Sequence, residues 1–444
     1  MSFIPHTDAD VGVMLDTVGL DSTINLFDSI PDEIRLDFPP SSGVPQALSE
    51  PELIASMKAL AGRNRGELVC FAGGGAYDAF VPAAVSSIAA KPEFATAYTP
   101  YQAEVSQGVL QALFEYQTLI CRLTGMEVAN ASLYDGATAL VEGVALAAAV
   151  TGKSKIVVGA GLNPRFRQVL ETVASGHSWD ITSVPLEGGV SAWPSIDGDV
   201  AAVVVQHPNY LGCLEDVGLV TARASEAGAL SVVVTDPISN GILKTPGALG
   251  ADVVVGEGQQ LGGALNFGGP YLGIFATKDA YLRQVPGRIV GETVDADGKR
   301  AYALALQARE QHIRREKASS NICTNQTLMA IAATAALAWL GPQGLRRAAE
   351  SSSLLAHYLA DRLCEIPGCS LATTAPFFRE FALKLPLPAA DVIERLADEG
   401  FLAGVDLTGD YPDFGDAMLV AVTENRTRQQ ADQYVEAMNK VIKK

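Results

Sequence analysis

The sequence predicts an α/β fold: a large domain built on a mainly parallel sheet, preceded by a helical arm and followed by a small α+β domain. Three observations predict it. Between about residues 61 and 325, short segments that are apolar almost throughout alternate with helical stretches, the pattern of strands buried on both faces. Near residue 326 the alternation stops and a long apolar helical stretch begins. The length, 444 residues, exceeds what one ordinary hydrophobic core serves, so two or three domains are expected.

Residues 1–60 read as amphipathic helix. Thr7-Asp8-Ala9-Asp10 is a helix start, with Val11, Met14 and Leu15 on one face. Asp21-Ser22-Thr23-Ile24 is a second start, and Ser49-Glu50-Pro51-Glu52 places proline in a first turn. In residues 61–325 the expected strands are Lys155–Val158, Val200–Val205, Leu230–Thr235, Val253–Val255 and Tyr271–Ala276, with helices Ala137–Val150 and Arg165–Val173 between them. Ligands of such sheets collect at the carboxyl ends of strands, so the loops after Val205, Thr235 and Val255 are the ones to watch. Residues 326–444 start with an apolar helix to Leu340, break at Gly341-Pro342, and resume as helix from Gly344 to Cys364. Strands at Leu371–Thr373, Glu380–Lys384 and Met418–Val422, and helices at Asp391–Glu399 and Arg428–Lys440, complete the α+β tail.

Composition narrows the function. The chain is 48% hydrophobic and 18% charged, enough to fold around a large interior. A net charge of −18 argues against a nucleic-acid partner, whose phosphates it would repel. None of the five histidines pairs with another at metal-ligand spacing, so no metal is expected, and six scattered cysteines without a C-x-x-C pair suit a reducing compartment. The N-terminal MSFIPHTDADVGVML lacks the layout of a signal peptide, and Leu328–Gly341 is shorter than the ~20 apolar residues that span a bilayer. A soluble, cytoplasmic protein is the expectation.

Several segments carry possible chemistry. Asp135-Gly136-Ala137-Thr138 opens a helix whose free N–H groups suit an anion, or is an ordinary cap. Asp236 ends a strand, where its carboxylate can pair with a cationic ring nitrogen or cap the Asp-Pro turn. His207 follows another strand, a place where histidine is more often structural. In TAYTPYQAEVSQG, Tyr98, Tyr101, Gln102 and Glu104 crowd polar and aromatic groups suited to a wet cleft. The triple glycine of CFAGGGAYDAFVP permits close backbone approach. Arg309 to Lys317 is dense with charge and adjoins Ser319-Ser320-Asn321. Finally, GADVVVGEGQQLGGALNFGGPYLGIFA (Gly250–Ala276) reads as strand, turn, glycine-rich loop and strand, with Gln259 and Gln260 in the turn.

Six segments, FAGGGAYDAFVP, EFATAYTPYQAEVSQGVLQALFEYQ, NASLYDGATA, QHPNYLGCLED, VPGRIVGET and LQAREQHIRREKASSNICTNQ, occur in this order. Together they resemble the alpha subunits (subunit 1) of the bacterial heteromeric glycine dehydrogenase (decarboxylating), and the resemblance runs from PHTDAD to the C-terminal domain. It implies the pyridoxal phosphate (PLP)-dependent transferase fold, aspartate-aminotransferase-like, fold type I. In such enzymes the turn carries a lysine, the residue able to bond a carbonyl cofactor; here Gln260 falls at that place, and glutamine cannot. The resemblance therefore implies that PLP is held covalently by the partner, the glycine decarboxylase beta subunit (subunit 2), and not by this chain. It further implies an α2β2 assembly that decarboxylates glycine and passes the aminomethyl group to the lipoyl arm of H-protein.

On that resemblance Tyr98, Tyr101, Gln102 and Glu104 are expected to act across a subunit interface, together with Ser319, Ser320 and Asn321. Asp135, Thr138, His207, Asp236 and Gln260 are expected to be the remnant of a cofactor pocket. Two alternatives stand beside this: an autonomous PLP enzyme using another lysine, with Lys244 the nearest, or a purely structural subunit.

Overall fold

The computed structural model describes residues 5–35, 47–96 and 100–443. The chain divides into two compact units, Met1–Gly66 and Glu67–Lys444. In the first, helix α1 (Asp8–Val18) starts where Thr7 and Asp10 cap each other reciprocally, Thr7 N–H donating to the Asp10 carboxylate at 2.8 Å. Helix α2 (Glu50–Ala61) has Pro51 in its first turn, and the Glu52 carboxylate accepts from Ser49 N–H at 2.9 Å. Neither helix contains a buried residue.

The second unit is built on a seven-stranded sheet. Its strands are β1 (Val128–Ala129), β2 (Lys155–Gly159), β3 (Asp180–Val184), β4 (Val200–His207), β5 (Leu230–Thr235), β6 (Val253–Glu257) and β7 (Gly273–Thr277). Their spatial order is β1-β7-β6-β5-β4-β2-β3; β3, β2, β4, β5 and β6 pair in parallel, while β7 runs antiparallel to both β6 and β1. All five expected strands are present, with ends shifted by up to two residues; β1 and β3 had no apolar run to announce them.

Alternate side chains of the central strands enter different cores. Val203, Val205, Val233 and Val254 join a cluster with helix α3 (Gln107–Thr124), whereas Val204, Val232, Val253 and Val255 join one with helix α4 (Gly136–Thr151). Two-sided burial is why these strands read as unbroken valine runs. Helix α5 (Pro164–His177) packs beside α4, and α6 (Val217–Glu226) lies on the α3 side. A hairpin of β8 (Ile289–Val294) and β9 (Arg300–Ala305) follows the sheet.

The long helix α7 (Thr327–Cys364) is broken in backbone conformation only at Gly341 and continues from Pro342. Among the described residues it is the one helix long and apolar enough to cross a membrane by length and composition, yet Ala330, Ile331, Ala333 and Ala336 are buried against the protein's own core. A four-stranded antiparallel sheet, order β10 (Ser370–Leu371), β11 (Glu380–Lys384), β13 (Ala417–Ala421), β12 (Val405–Asp406), packs with α8 (Ala389–Asp398) and α9 (Arg428–Ile442) around a separate hydrophobic cluster. That second sheet is what brings β11, and the residue before it, to the carboxyl ends of the first.

Candidate functional site

The carboxyl ends of β4, β5 and β6 converge as expected on a cavity lined by Gln206, Thr235, Asp236, Glu257 and Gln260, and closed by Tyr77, Arg379 and Glu380. At its centre is Gln260. Its amide donates from Nε2 to Asp236 Oδ1 at 2.6 Å, and its Oε1 accepts from Arg379 Nη2. The same guanidinium nitrogen meets Asp236 Oδ2 at 2.7 Å, and Arg379 is 1% exposed. Ile238 N–H also donates to Asp236 Oδ1 at 2.9 Å, so the Asp-Pro turn cap and the buried ion pair coexist. The guanidinium lies 4.1 Å above the Tyr77 ring, and the Tyr77 hydroxyl donates to Glu380 Oε2 at 2.7 Å. Burial pushes the Glu380 carboxyl up to about 7.

The triple glycine serves this cluster. Gly74 N–H donates to Glu380 Oε1 at 2.8 Å, and a Cβ on Gly73 would come within 2.3 Å of that oxygen. Gln259 points elsewhere: its amide accepts from Tyr77 N–H at 3.0 Å and donates to Gly263 carbonyl oxygen at 2.7 Å, stitching the turn to the chain near residue 77.

The start of α4 is already answered by an anion of the protein's own. Glu257 accepts from Gly136 N–H at 2.9 Å, from Gln259 N–H at 2.9 Å and from Leu272 N–H at 3.0 Å. Burial nevertheless raises its carboxyl to about 7. Asp135 caps the helix, accepting from Thr138 N–H at 2.7 Å. His207 is not in the cavity: strand alternation turns Gln206 and Pro208 toward it and His207 away. There His207 Nδ1 accepts from Glu215 N–H at 3.1 Å, and burial pulls its pKa down to about 4, so it is a neutral acceptor inside the fold.

The remaining expected site residues fall in two other places. Thr138, Ser319, Ser320 and Asn321 line one cavity of about 610 Å³ together with Glu142 and Arg315. Burial raises the Glu142 carboxyl to about 7, against the lowering effect of a hydrogen bond with Ser320. Tyr101 is half exposed, and its hydroxyl accepts from Arg288 Nη2 at 2.9 Å. Gln102 and Glu104 are exposed on the same loop; Tyr98 lies outside the described residues. The structure thus joins Asp236 with Gln260, and Thr138 with the Ser319–Asn321 turn, but does not gather all the expected residues into one pocket. Arg379, Glu380, Tyr77 and Glu257 join this site from beyond the residues the sequence singles out. Glu257 stood three positions before Gln260, and its place at a strand end was the available signal.

The family model described as glycine cleavage system P-protein matches residues 1–438. The chain belongs to that family. It is similar to a probable glycine dehydrogenase (decarboxylating) subunit 1 of Chlorobium limicola, 51% identical with 99% of each chain covered. It is also similar to one of Desulforamulus reducens, 50% identical over 97% of this chain and 98% of that protein. A crystal structure of glycine decarboxylase (P-protein) of the glycine cleavage system, in inhibitor-bound form, is 46% identical, covers 99% of this chain and matches with a TM-score of 0.92. A glutamate decarboxylase of Lactobacillus brevis, 14% identical over 93% of this chain with a TM-score of 0.69, shares the fold alone. The fold is that of PLP-dependent enzymes of fold type I.

Within that family, this chain's own residues do not fit the cofactor. Position 260 offers an amide, both Asp236 oxygens are engaged, Glu257 takes the Gly136 N–H and Asp135 the Thr138 N–H at the start of α4, and the cavity measures about 40 Å³. A few waters need that much space, and a substituted ring with a phosphate arm needs far more. Lys244 is exposed and does not line the cavity.

Proposed function

We propose that this chain is the alpha subunit of a heteromeric glycine decarboxylase of the glycine cleavage system, and that PLP is held by its beta partner. The observation that carries this reading is Gln260, locked between Asp236 and Arg379 where an amine would be needed. The cofactor supplies the chemistry of decarboxylation on the partner. This chain supplies a wall: Tyr98, Tyr101, Gln102 and Glu104 from one loop, and Ser319, Ser320 and Asn321 from another, reach across the interface to orient glycine and admit the lipoyl arm of H-protein. The assembly is α2β2 and cytoplasmic. Asp236 and Gln260 remain as structural members of the former pocket, and Asp135 and His207 hold the fold around it.

The test is reconstitution. The chain alone, treated with PLP and borohydride, is expected to carry no fixed adduct and to catalyse no exchange of carbon dioxide with glycine. Mixed with its beta partner and lipoylated H-protein it is expected to co-elute with the partner and to show that exchange. An adduct on this chain, at Lys244 for instance, would overturn the reading. Unchanged exchange in Tyr101→Phe, Gln102→Ala and Glu104→Ala would reduce the chain to a scaffold.

A further inference from the structure

Tyr101 is half exposed but is held from behind by charges that are almost fully buried. Arg288, 2% exposed, donates from Nη2 to the Tyr101 hydroxyl at 2.9 Å, and its guanidinium carbon lies 5.0 Å from the ring centroid. Behind it Glu310, 6% exposed, faces Arg288 Nε at 3.9 Å through Oε2. The same oxygen is 3.6 Å from His312 Nδ1, and the His312 ring meets the Tyr101 ring edge-on, centroids 6.2 Å apart. Arg288 immediately precedes β8, and its carbonyl accepts from Ala131 N–H at 2.8 Å, which fixes the backbone that carries the guanidinium. Glu310 is tied in turn by its carbonyl, which accepts from Arg314 N–H at 2.9 Å.

A buried ion pair is a poor way to gain stability, because desolvating both charges offsets their attraction. Placed under an exposed tyrosine it does something else. A phenol oxygen that accepts from a guanidinium keeps its own hydrogen for a second partner, and that partner lies on the open side. The planar fork of arginine fixes this direction; a lysine ammonium, a point charge on a flexible stem, would not. We infer that Arg288 and Glu310 are positioning residues that hold the Tyr101 hydroxyl as an outward-facing hydrogen-bond donor for the composite active site. The inference rests on the proposed presentation of Tyr101 to the partner's centre, and it adds two residues that act through Tyr101.

The experiment is a double-mutant cycle in the reassembled alpha–beta enzyme, with lipoylated H-protein and glycine–carbon dioxide exchange as the assay. Tyr101→Phe and Arg288→Lys are each expected to lower kcat roughly tenfold, the worth of one hydrogen bond, with co-elution and Tm retained. The double variant is expected to be no slower than the slower single one, because the hydroxyl that Arg288 holds is already gone. Glu310→Gln is expected to lower kcat as Arg288→Lys does, at a lower Tm because it takes a carboxylate from the buried Arg288 cation, and it carries the same cycle if the lysine variant does not fold. Losses that multiply in the double variant, to about a hundredfold, or Arg288→Lys and Glu310→Gln at the wild-type rate, overturn the inference. A working mixture in which Tyr101→Phe alone has no effect overturns the placement of Tyr101 itself, and is told apart by that single variant.

Discussion

An amide serves Asp236 and Arg379 at once because it is donor and acceptor in one side chain. Gln260 gives its N–H to the carboxylate and its oxygen to the guanidinium, and each of its neighbours is already bonded to the other. A lysine there would donate to Asp236 but face Arg379 as a second cation. Gln260→Lys is therefore expected to lower the unfolding free energy by about 2 kcal/mol in urea melts, and to leave the chain without a borohydride-fixed PLP adduct. An adduct on the single variant would show that the cavity opens more easily than its contacts imply. Arg379→Met should cost more, about 3–5 kcal/mol, since it strips the cation from a nearly buried carboxylate. Adding Asp236→Asn should recover much of that loss in the same melts; two losses that simply add would mean the pair is not the source. Asp236 and Gln260 were legible because each lies in the turn that follows an apolar strand. Arg379 was not: 119 residues separate it from Gln260, and nothing near it in the sequence says which sheet edge it will face.

The elements were most legible where burial is two-sided. β4, β5 and β6 are valine runs closed off by polar turns, and α4 announces itself through Asp135 and its apolar length. β3 was hidden because its DITSV is mostly exposed at a sheet edge. The hairpin of β8 and β9 was hidden because polar and charged residues at its outer end make it read as a solvated loop. Strand direction left no trace either: β7 is as apolar as its parallel neighbours yet runs the other way. The break in α7 was legible as Gly341-Pro342, and its geometry tells why glycine is there. Gly341 has φ 58° and ψ −179°, a region essentially confined to glycine. A Cβ would have room, the nearest atom being Gln343 Oε1 at 3.8 Å, so only the backbone resists. Gly341→Ala is expected to destabilise by about 1–3 kcal/mol in thermal or urea unfolding. A variant as stable as the parent would mean the two halves of α7 can turn through an ordinary conformation.

At the scale of the whole molecule, charge and burial set the response to pH. Glu142, Glu257 and Glu380 are all pushed up from 4.5 to about 7, chiefly by burial. Between those values the native chain binds protons that the unfolded chain has released, so stability falls as pH rises through the window. Each such shift is worth on the order of 3 kcal/mol. His207 works the other way. Its pKa is pulled from 6.5 to about 4, so the unfolded chain is the one that binds the proton there, and stability rises with pH through that range. Three carboxyls outweigh one imidazole, whose unfolded form has given up most of its protons by pH 7. The net charge of −18 at pH 7 adds self-repulsion in the same direction. The unfolding free energy of the chain in urea is therefore expected to decline from about pH 5.5 to pH 8, where a protein held by exposed carboxylate pairs would gain or stay level. Glu142→Gln isolates one contributor, because glutamine keeps a hydrogen-bonding group beside Ser320 and removes the titration. Its decline should be shallower than that of the parent by about a third to a half, since one carboxyl in three is removed and the opposing His207 contribution stays. A stability that climbs over this interval, or a Glu142→Gln profile parallel to the parent's, would mean that these carboxyls are hydrated in solution.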